Sequence, residues 1–230
     1  MKKIGIIQSN YIPWKGYFHI IKKVDCFVFL DTVQYTKRDW RNRNIIKTPD
    51  GLKWLTVPNN GTQSMKINEV LIDNTSKWNI DHLKTLTLNY KKCKYFDYYY
   101  NFLETVYLKK NWKKLSDLNQ FCVREISKFL NIKTIFKDSS EFKLKSGKNE
   151  MLVSIIKHLK GDYYVSGPSA KSYIDISIFE KNSIQREFMN YPNYTIYNQP
   201  WGDFNHNVSI LDLLFCEGPD APNFIWDLVD

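Results

Sequence analysis

The first thirty residues constrain this chain more than any other stretch. Lys3-Ile4-Gly5-Ile6-Ile7-Gln8 is a short apolar run of strand type, and a polar loop from Ser9 to Trp14 follows it. Phe18, Ile21 and Val24 then recur at helical spacing. Cys26-Phe27-Val28-Phe29-Leu30 is a second continuous apolar run, closed by Asp31. Strand, loop, helix and strand in so short a span make a βαβ unit. Its strands lack polar alternation, which predicts a parallel sheet covered on both faces. Ligands of such sheets bind beyond the carboxyl ends of the strands, here Gln8 to Trp14 and the stretch from Asp31 onward. The expected fold class is α/β: a Rossmann-like, mostly parallel sheet.

The remaining pattern fills that frame. Ile45-Ile46-Lys47 and Lys53 to Val57 flank Thr48-Pro49-Asp50-Gly51, a turn sequence that predicts a β-hairpin. A short strand is expected at Val70-Leu71-Ile72. Three helical patterns come next: 76–90 with Ser76 as its cap, 97–110, and 116–130 starting at Ser116. They read as a helical insertion or lobe over 74–131 within a single α/β domain of 1–230. Strands are then expected at 134–136, 163–165 and 185–189. Helices are expected over 151–159, stopped by Gly161, and over 209–216, stopped by Gly218-Pro219.

Composition narrows the ligand. Lys and Arg exceed Asp and Glu by 33 to 24, and the excess is uneven: residues 1–60 and 61–150 each carry +7, whereas 151–230 carry −5. A cationic first part suggests an anionic ligand. Nucleic acid is one such ligand, but no nucleic-acid-binding signature is present. Aromatic residues make up 16% of the chain, 15 of them Tyr, and so many hydroxyls require surfaces or a cleft. No stretch approaches the ~20 apolar residues of a membrane span. The run after Lys2-Lys3 stops at Gln8, short of the ~7–15 residues of a signal-peptide core, so a cytoplasmic protein is expected. The four cysteines form no C-x-x-C pair, the four histidines are dispersed, and the spacing proposes no metal site. Cys26, Cys122 and Cys216 read as small buried hydrophobes.

Two loops concentrate the polar chemistry. The run from Asp31 to Asn44 follows the second strand and holds Gln34, Lys37, Arg38, Trp40, Arg41 and Arg43. Arg41 and Arg43 are two apart, so in extended chain both project to one side and form two forks for a phosphate or carboxylate. Trp40 offers a face for a base or sugar ring. The loop from Gln8 to Tyr17 contributes Gln8, Asn10, Tyr11, Trp14 and Gly16, a loop-glycine-helix entry of phosphate-binding kind. Neither G-x-G-x-x-G nor the P-loop pattern is there. The H-x-G-H of nucleotidyltransferase-like folds is reduced to the glycine of Trp14-Lys15-Gly16-Tyr17. No cofactor is therefore named. Ser166 and Gly167, in a turn after a strand, are further candidates for sugar or phosphate contact. Asp31 and His206 are the candidate general bases, Asp31 because it ends a buried strand and His206 because it lies in a polar loop. Asp212, flanked by apolar residues, is read as a cap or a partner of the basic loop.

Taken together, Gln8 to Phe18, Asp31 to Asn44, Trp78 with His82 and Tyr90, Tyr164-Val165-Ser166-Gly167, and Ser209 to Phe215 with Gly218 resemble the WbqC-like family. Tyr191-Pro192 with Tyr197 and Gln199 also fit the resemblance. Ser9 departs from it, since such sequences more often carry proline there. The resemblance implies work on an activated sugar in the biosynthesis of O-antigen and other surface polysaccharides. It supplies no established list of catalytic residues. The partners expected are a nucleotide-linked amino sugar and a small acyl or aminoacyl donor, with transfer to the sugar amine. The alternatives are a non-catalytic nucleotide-sugar-binding or assembly factor and an RNA-binding protein using the basic face.

Overall fold

Five parallel strands form the sheet, and their order places a reversal at its centre. The structure is a computed structural model that describes residues 1–226. Strands β1 (Lys3–Ile7), β2 (Cys26–Phe29), β5 (Ile135–Asp138), β6 (Tyr163–Ser166) and β7 (Gln185–Phe188) run in the order β5-β2-β1-β6-β7. The chain first moves outward from β1 through β2 to β5, then returns to the other side of β1 for β6 and β7. Ile4 pairs with Cys26 on one side and Tyr164 on the other. This is the doubly wound topology, with its switch point between β1 and β6.

Both faces of the sheet are covered, as the unalternating strands predicted. On one face Ile4, Ile6, Cys26 and Val28 pack with Ile155 and Ile156 of α5 (Lys148–His158) and Phe179 of α6 (Ile176–Lys181). On the other, Phe27 and Phe29 pack with Phe18 and Ile21 of α1 (Lys15–Lys22) and with Leu118, Cys122 and Ile126 of α4 (Leu115–Phe129). That second core also takes in the hairpin β3 (Arg43–Thr48) and β4 (Gly51–Thr56), α2 (Trp78–Tyr90), α3 (Tyr100–Glu104) and α7 (Ile210–Glu217). The helices of the middle third thus share one core with the sheet.

Several local expectations change. In place of the strand expected at Val70 to Ile72 there are only isolated bridges, Leu71 with Lys114, after which α4 begins, and Ile72 with Asn59. The helix expected over 97–110 breaks into a 3-10 turn, α3 and a π turn. Ser76 is not a cap, since α2 begins after Lys77 with no capping side chain, and α4 starts one residue before Ser116, at Leu115. Past α5 the left-handed residue is Lys160 (φ 54°), not Gly161. Gly161 is needed for closeness instead, since a Cβ there would lie 2.4 Å from Ile4. Helix α6, led by the Asp175 carboxylate accepting from Ser177 N–H, was not anticipated.

Buried polar groups fasten the middle third to the sheet. Asp212 on α7 accepts from the hydroxyls of Tyr90 (2.8 Å) and Tyr197 (2.6 Å) and from the Gln199 amide (2.7 Å). It therefore serves this network rather than the basic loop after β2. Tyr11 is fully buried and bonds His82 Nδ1 (2.9 Å) and the Tyr107 hydroxyl (2.5 Å). Cys216 is only half-buried and its Sγ lies 4.0 Å from that of Cys93, a pairing that spacing along the chain does not reveal.

Two stability outcomes follow. Gly218 sits at φ 57°, and a Cβ there would lie 2.4 Å from the Tyr95 ring. Gly218→Ala should cost about 1–3 kcal/mol in urea unfolding through strain and overpacking together. Burial pulls His82 down to about 4. The unfolded chain takes up its proton first, near pH 6.5, so His82 contributes stability above that pH and loses it as pH falls toward 4. The loss is roughly 3 kcal/mol at ~1.4 kcal/mol per unit. Burial pushes Asp31 and Asp212 upward, giving the opposite slope, but equally in both proteins. The difference in urea midpoints between wild type and His82→Gln, followed from pH 7 to 4, should therefore narrow as pH falls.

Candidate functional site

A cleft of about 870 Å³ opens at the carboxyl ends of β1, β2 and β6, directly over the switch point. Its volume falls within the ~300–1,000 Å³ of small-molecule sites. Gln8 and Trp14 enter from the loop after β1, Gln34 and Arg41 from the loop after β2, and Ser166 and Gly167 from the turn after β6. Six of the residues expected from sequence therefore converge. Tyr17, Gln63, Lys145, Lys148, Tyr173 and Tyr191 complete much of the wall. Tyr17 closes the first polar loop and Tyr191 belongs to the blocks that carry the resemblance, while the Lys145-Ser146-Gly147-Lys148 run into α5 has its own signal, a glycine between lysines at a strand-to-helix junction. Gln63 and Tyr173 lie in distant loops that spacing does not connect.

The electrostatics are one-sided. Arg41, Lys145 and Lys148 line the cleft, while no Asp, Glu or His is among the described lining residues. Arg41 is held by its own loop and its neighbour's: one terminal nitrogen donates to Asn10 Oδ1 and the other lies 3.4 Å from Gln8 Oε1. Asp39 stands 3.7 Å away, a partial counter-charge. The main chain of the loop is fixed as well, because Asn119 Nδ2 on α4 donates to Arg41 O at 2.8 Å. Opposite, the Tyr164 hydroxyl donates to Ser166 Oγ (3.1 Å) at the foot of the β6 turn.

Other expected residues lie elsewhere. Arg43 opens β3 and lays its guanidinium 4.1 Å over the Trp54 ring, so the two arginines do not form one anion clamp. The backbone explains this: Arg38 takes φ 53° and the chain turns through 37–42 instead of running extended. Lys37 and Arg38 are exposed, outside the cleft. Gly16 is covered by the Trp14 indole, 2.3 Å from where its Cβ would be, so its role is to admit that ring rather than a phosphate. Tyr11 lies in the core described above. Asn10 and Trp40 line a second, smaller hollow.

The two candidate bases are corrected by burial and position. Asp31 is wholly buried beneath the cleft, accepting from Ser9 N–H (2.8 Å) and Gln120 Nε2 (2.9 Å). Burial pushes its carboxyl up, against these hydrogen bonds. It organises the floor and is absent from the described cleft wall. His206 packs on Phe204 at 4.6 Å and on Tyr194 at 6.2 Å, away from the cleft wall. Burial, with the charge of Lys15, holds it below the usual histidine range. Lys15 itself is caged by the rings of Tyr194, Tyr197 and Phe204, and burial brings it down to about 8. Among the described residues no group of acidic, histidine and cysteine side chains is placed to hold a metal, and no helix is long and apolar enough to cross a membrane.

The model of the WbqC-like protein family matches residues 8–224, which include both loops, the β6 turn and α7. An uncharacterized protein, Rv1507c, of Mycobacterium tuberculosis is 44% identical over 227 residues, covering 98% of each chain. No solved structure matches. From the first cleft loop to the end of α7, the chain is a member of the WbqC-like protein family.

Proposed function

We propose that this protein binds a nucleotide-linked amino sugar in the switch-point cleft and serves surface-polysaccharide biosynthesis, O-antigen included, in the cytoplasm. The observation that carries the reading is the cleft wall: three cations and, among its described residues, no carboxylate or imidazole over the carboxyl ends of parallel strands. Arg41, preoriented by the neutral amides of Gln8 and Asn10 and only partly offset by Asp39, is the group that grips the pyrophosphate with its planar fork. The family's name is linked to polysaccharide biosynthesis, which favours a sugar as the rest of the ligand.

The reaction that fits is acyl or aminoacyl transfer to the sugar amine. The amine nitrogen forms the new bond to the acyl carbon, the bond to the donor's leaving group breaks, and that leaving group takes the amine proton. Such a step needs no enzyme nucleophile, consistent with a wall of tyrosines, serines and lysines. A second reading, a non-catalytic holder of the same sugar nucleotide, is favoured by the lack of a general base on that wall.

Thermal-shift titration with a panel of nucleotide sugars should raise Tm for at least one of them, since a ligand specific to the folded form stabilises by mass action. Arg41→Ala should weaken that binding about tenfold or more, a charged hydrogen bond being worth ~1.5–3 kcal/mol. Unchanged affinity would remove the pyrophosphate assignment. Mass spectrometry of the bound sugar nucleotide after incubation with activated acyl donors separates the two readings: an added acyl mass supports the transferase.

A further inference from the structure

Beside the cleft lies a hollow of about 300 Å³ lined by Asn10, Pro13, Trp14, Trp40, Asn44 and Asn207. None of these carries a charge. The two cavities share a wall: Trp14 lines both, and Arg41 on the cleft side is hydrogen-bonded to Asn10 on the other. Trp40 is 43% exposed and its ring stands 5.4 Å from that of Trp54, itself 41% exposed and backed by the Arg43 guanidinium. The Trp40 indole therefore presents an open ring face at the mouth of the hollow, steadied from behind by Trp54 and Arg43.

We propose that this hollow is a separate saccharide subsite, taking one neutral pyranose ring against Trp40 and Trp14 with its hydroxyls directed to carboxamides. The proposal rests on the sugar-nucleotide reading of the cleft and divides the work: the anionic part lies at Arg41, and a sugar ring, of the same or a second substrate, lies across the Asn10–Arg41 wall. Charge selects the occupant. A nucleotide phosphate finds no cation in the hollow, and an acyl chain leaves the amides unmatched. A pyranose presents axial C–H groups to an indole and hydroxyls to amides, and it matches both. Not every amide is free for this. Asn44 spends its Nδ2 on Tyr11 O and Ile12 O and its Oδ1 on Ile45 N–H, so it shapes the wall. Asn207 and the Nδ2 of Asn10 remain for the ligand.

The test uses two probes on the full chain: neutral methyl pyranosides, including the N-acetylated amino sugars, observed by saturation-transfer NMR, and uridine diphosphate observed by calorimetry. Wild type should pass saturation to ring protons of at least one pyranoside. Trp40→Ala should reduce that transfer several-fold and leave diphosphate affinity within about twofold. Trp40 is open to solvent and its carbonyl, which accepts from Tyr11 N–H, survives the change. Arg41→Ala should weaken diphosphate binding several-fold while transfer to the pyranoside persists, reduced only by the loss of the partner that orients Asn10, since both indoles remain. No transfer to any pyranoside, transfer unchanged in Trp40→Ala, or loss of both probes in Arg41→Ala overturns the subsite. Diphosphate binding that survives Arg41→Ala overturns the reading of the cleft instead, and leaves the saccharide result standing.

Discussion

One buried carboxylate holds the edge of the sheet together. Asp31 stands two residues beyond β2, is closed to solvent, and takes hydrogen bonds from the Ser9 backbone after β1 and from the Gln120 amide on α4. The same Gln120 amide reaches Asp138 at the end of β5. Three strand ends and one helix are thereby tied at a single point. An unpaired buried charge would be strongly destabilising, so the arrangement tolerates Asp31 only while those donors stay in place. The loops that build the cleft diverge from this knot, and their reach into the cavity is set by it.

The second constraint is the path of the chain between β1 and α1. Ile12 adopts φ 36°, an unusual value for a β-branched residue. It is held there from two sides, by the Asn44 amide on its carbonyl (2.9 Å) and by the Ser209 hydroxyl on the same oxygen (2.8 Å). The kink lets Trp14 fold back over Gly16, where it covers the first turn of α1 and walls both cavities. In nucleotide-binding sheets that turn is where backbone N–H groups meet a phosphate. Here an indole occupies it, and the positive charge comes from the side chain of Arg41 instead.

How much of this was legible in the sequence follows from the range of the interactions. The sheet was legible because Ile4 to Ile7 and Cys26 to Phe29 are continuous apolar runs whose burial on two faces leaves no other arrangement. The hairpin was legible because Pro49 and Gly51 (φ 104°) fix its turn locally. Cleft residues next to strand ends, Gln8, Gln34, Arg41 and Ser166, were found by topology alone. Arg43 was misplaced because two-residue spacing implies one side only in an extended chain, and the left-handed Arg38 breaks that premise. Asp31 was assigned a chemical role because sequence shows that it ends a strand, not whether it faces ligand or floor. Asn119 and Gln120 carry no local signal, since their partners Arg41 and Asp31 lie 78 and 89 residues away in the loop after β2.

These pieces bear on why the site is cationic but poor in acid–base groups. The carboxylates near the switch point are withdrawn from it: Asp31 lies below the floor, Asp212 is enclosed by two tyrosines and a glutamine, and Asp39 sits partly against Arg41. Withdrawing them leaves Arg41 and the lysines as the charges a ligand meets first, which favours capture of a multiply charged phosphate ester. In the acyl-transfer reading proposed above, the same withdrawal leaves proton transfer to the reactants themselves, since the Tyr17 hydroxyl is spent on the Gln8 carbonyl and burial pushes it up. An amine attacking an activated acyl group is a reaction that tolerates such a site, because the nucleophile needs only to arrive unprotonated and correctly placed. Placement is what a cation on one side of Trp14 and a ring-sized hollow on the other can supply.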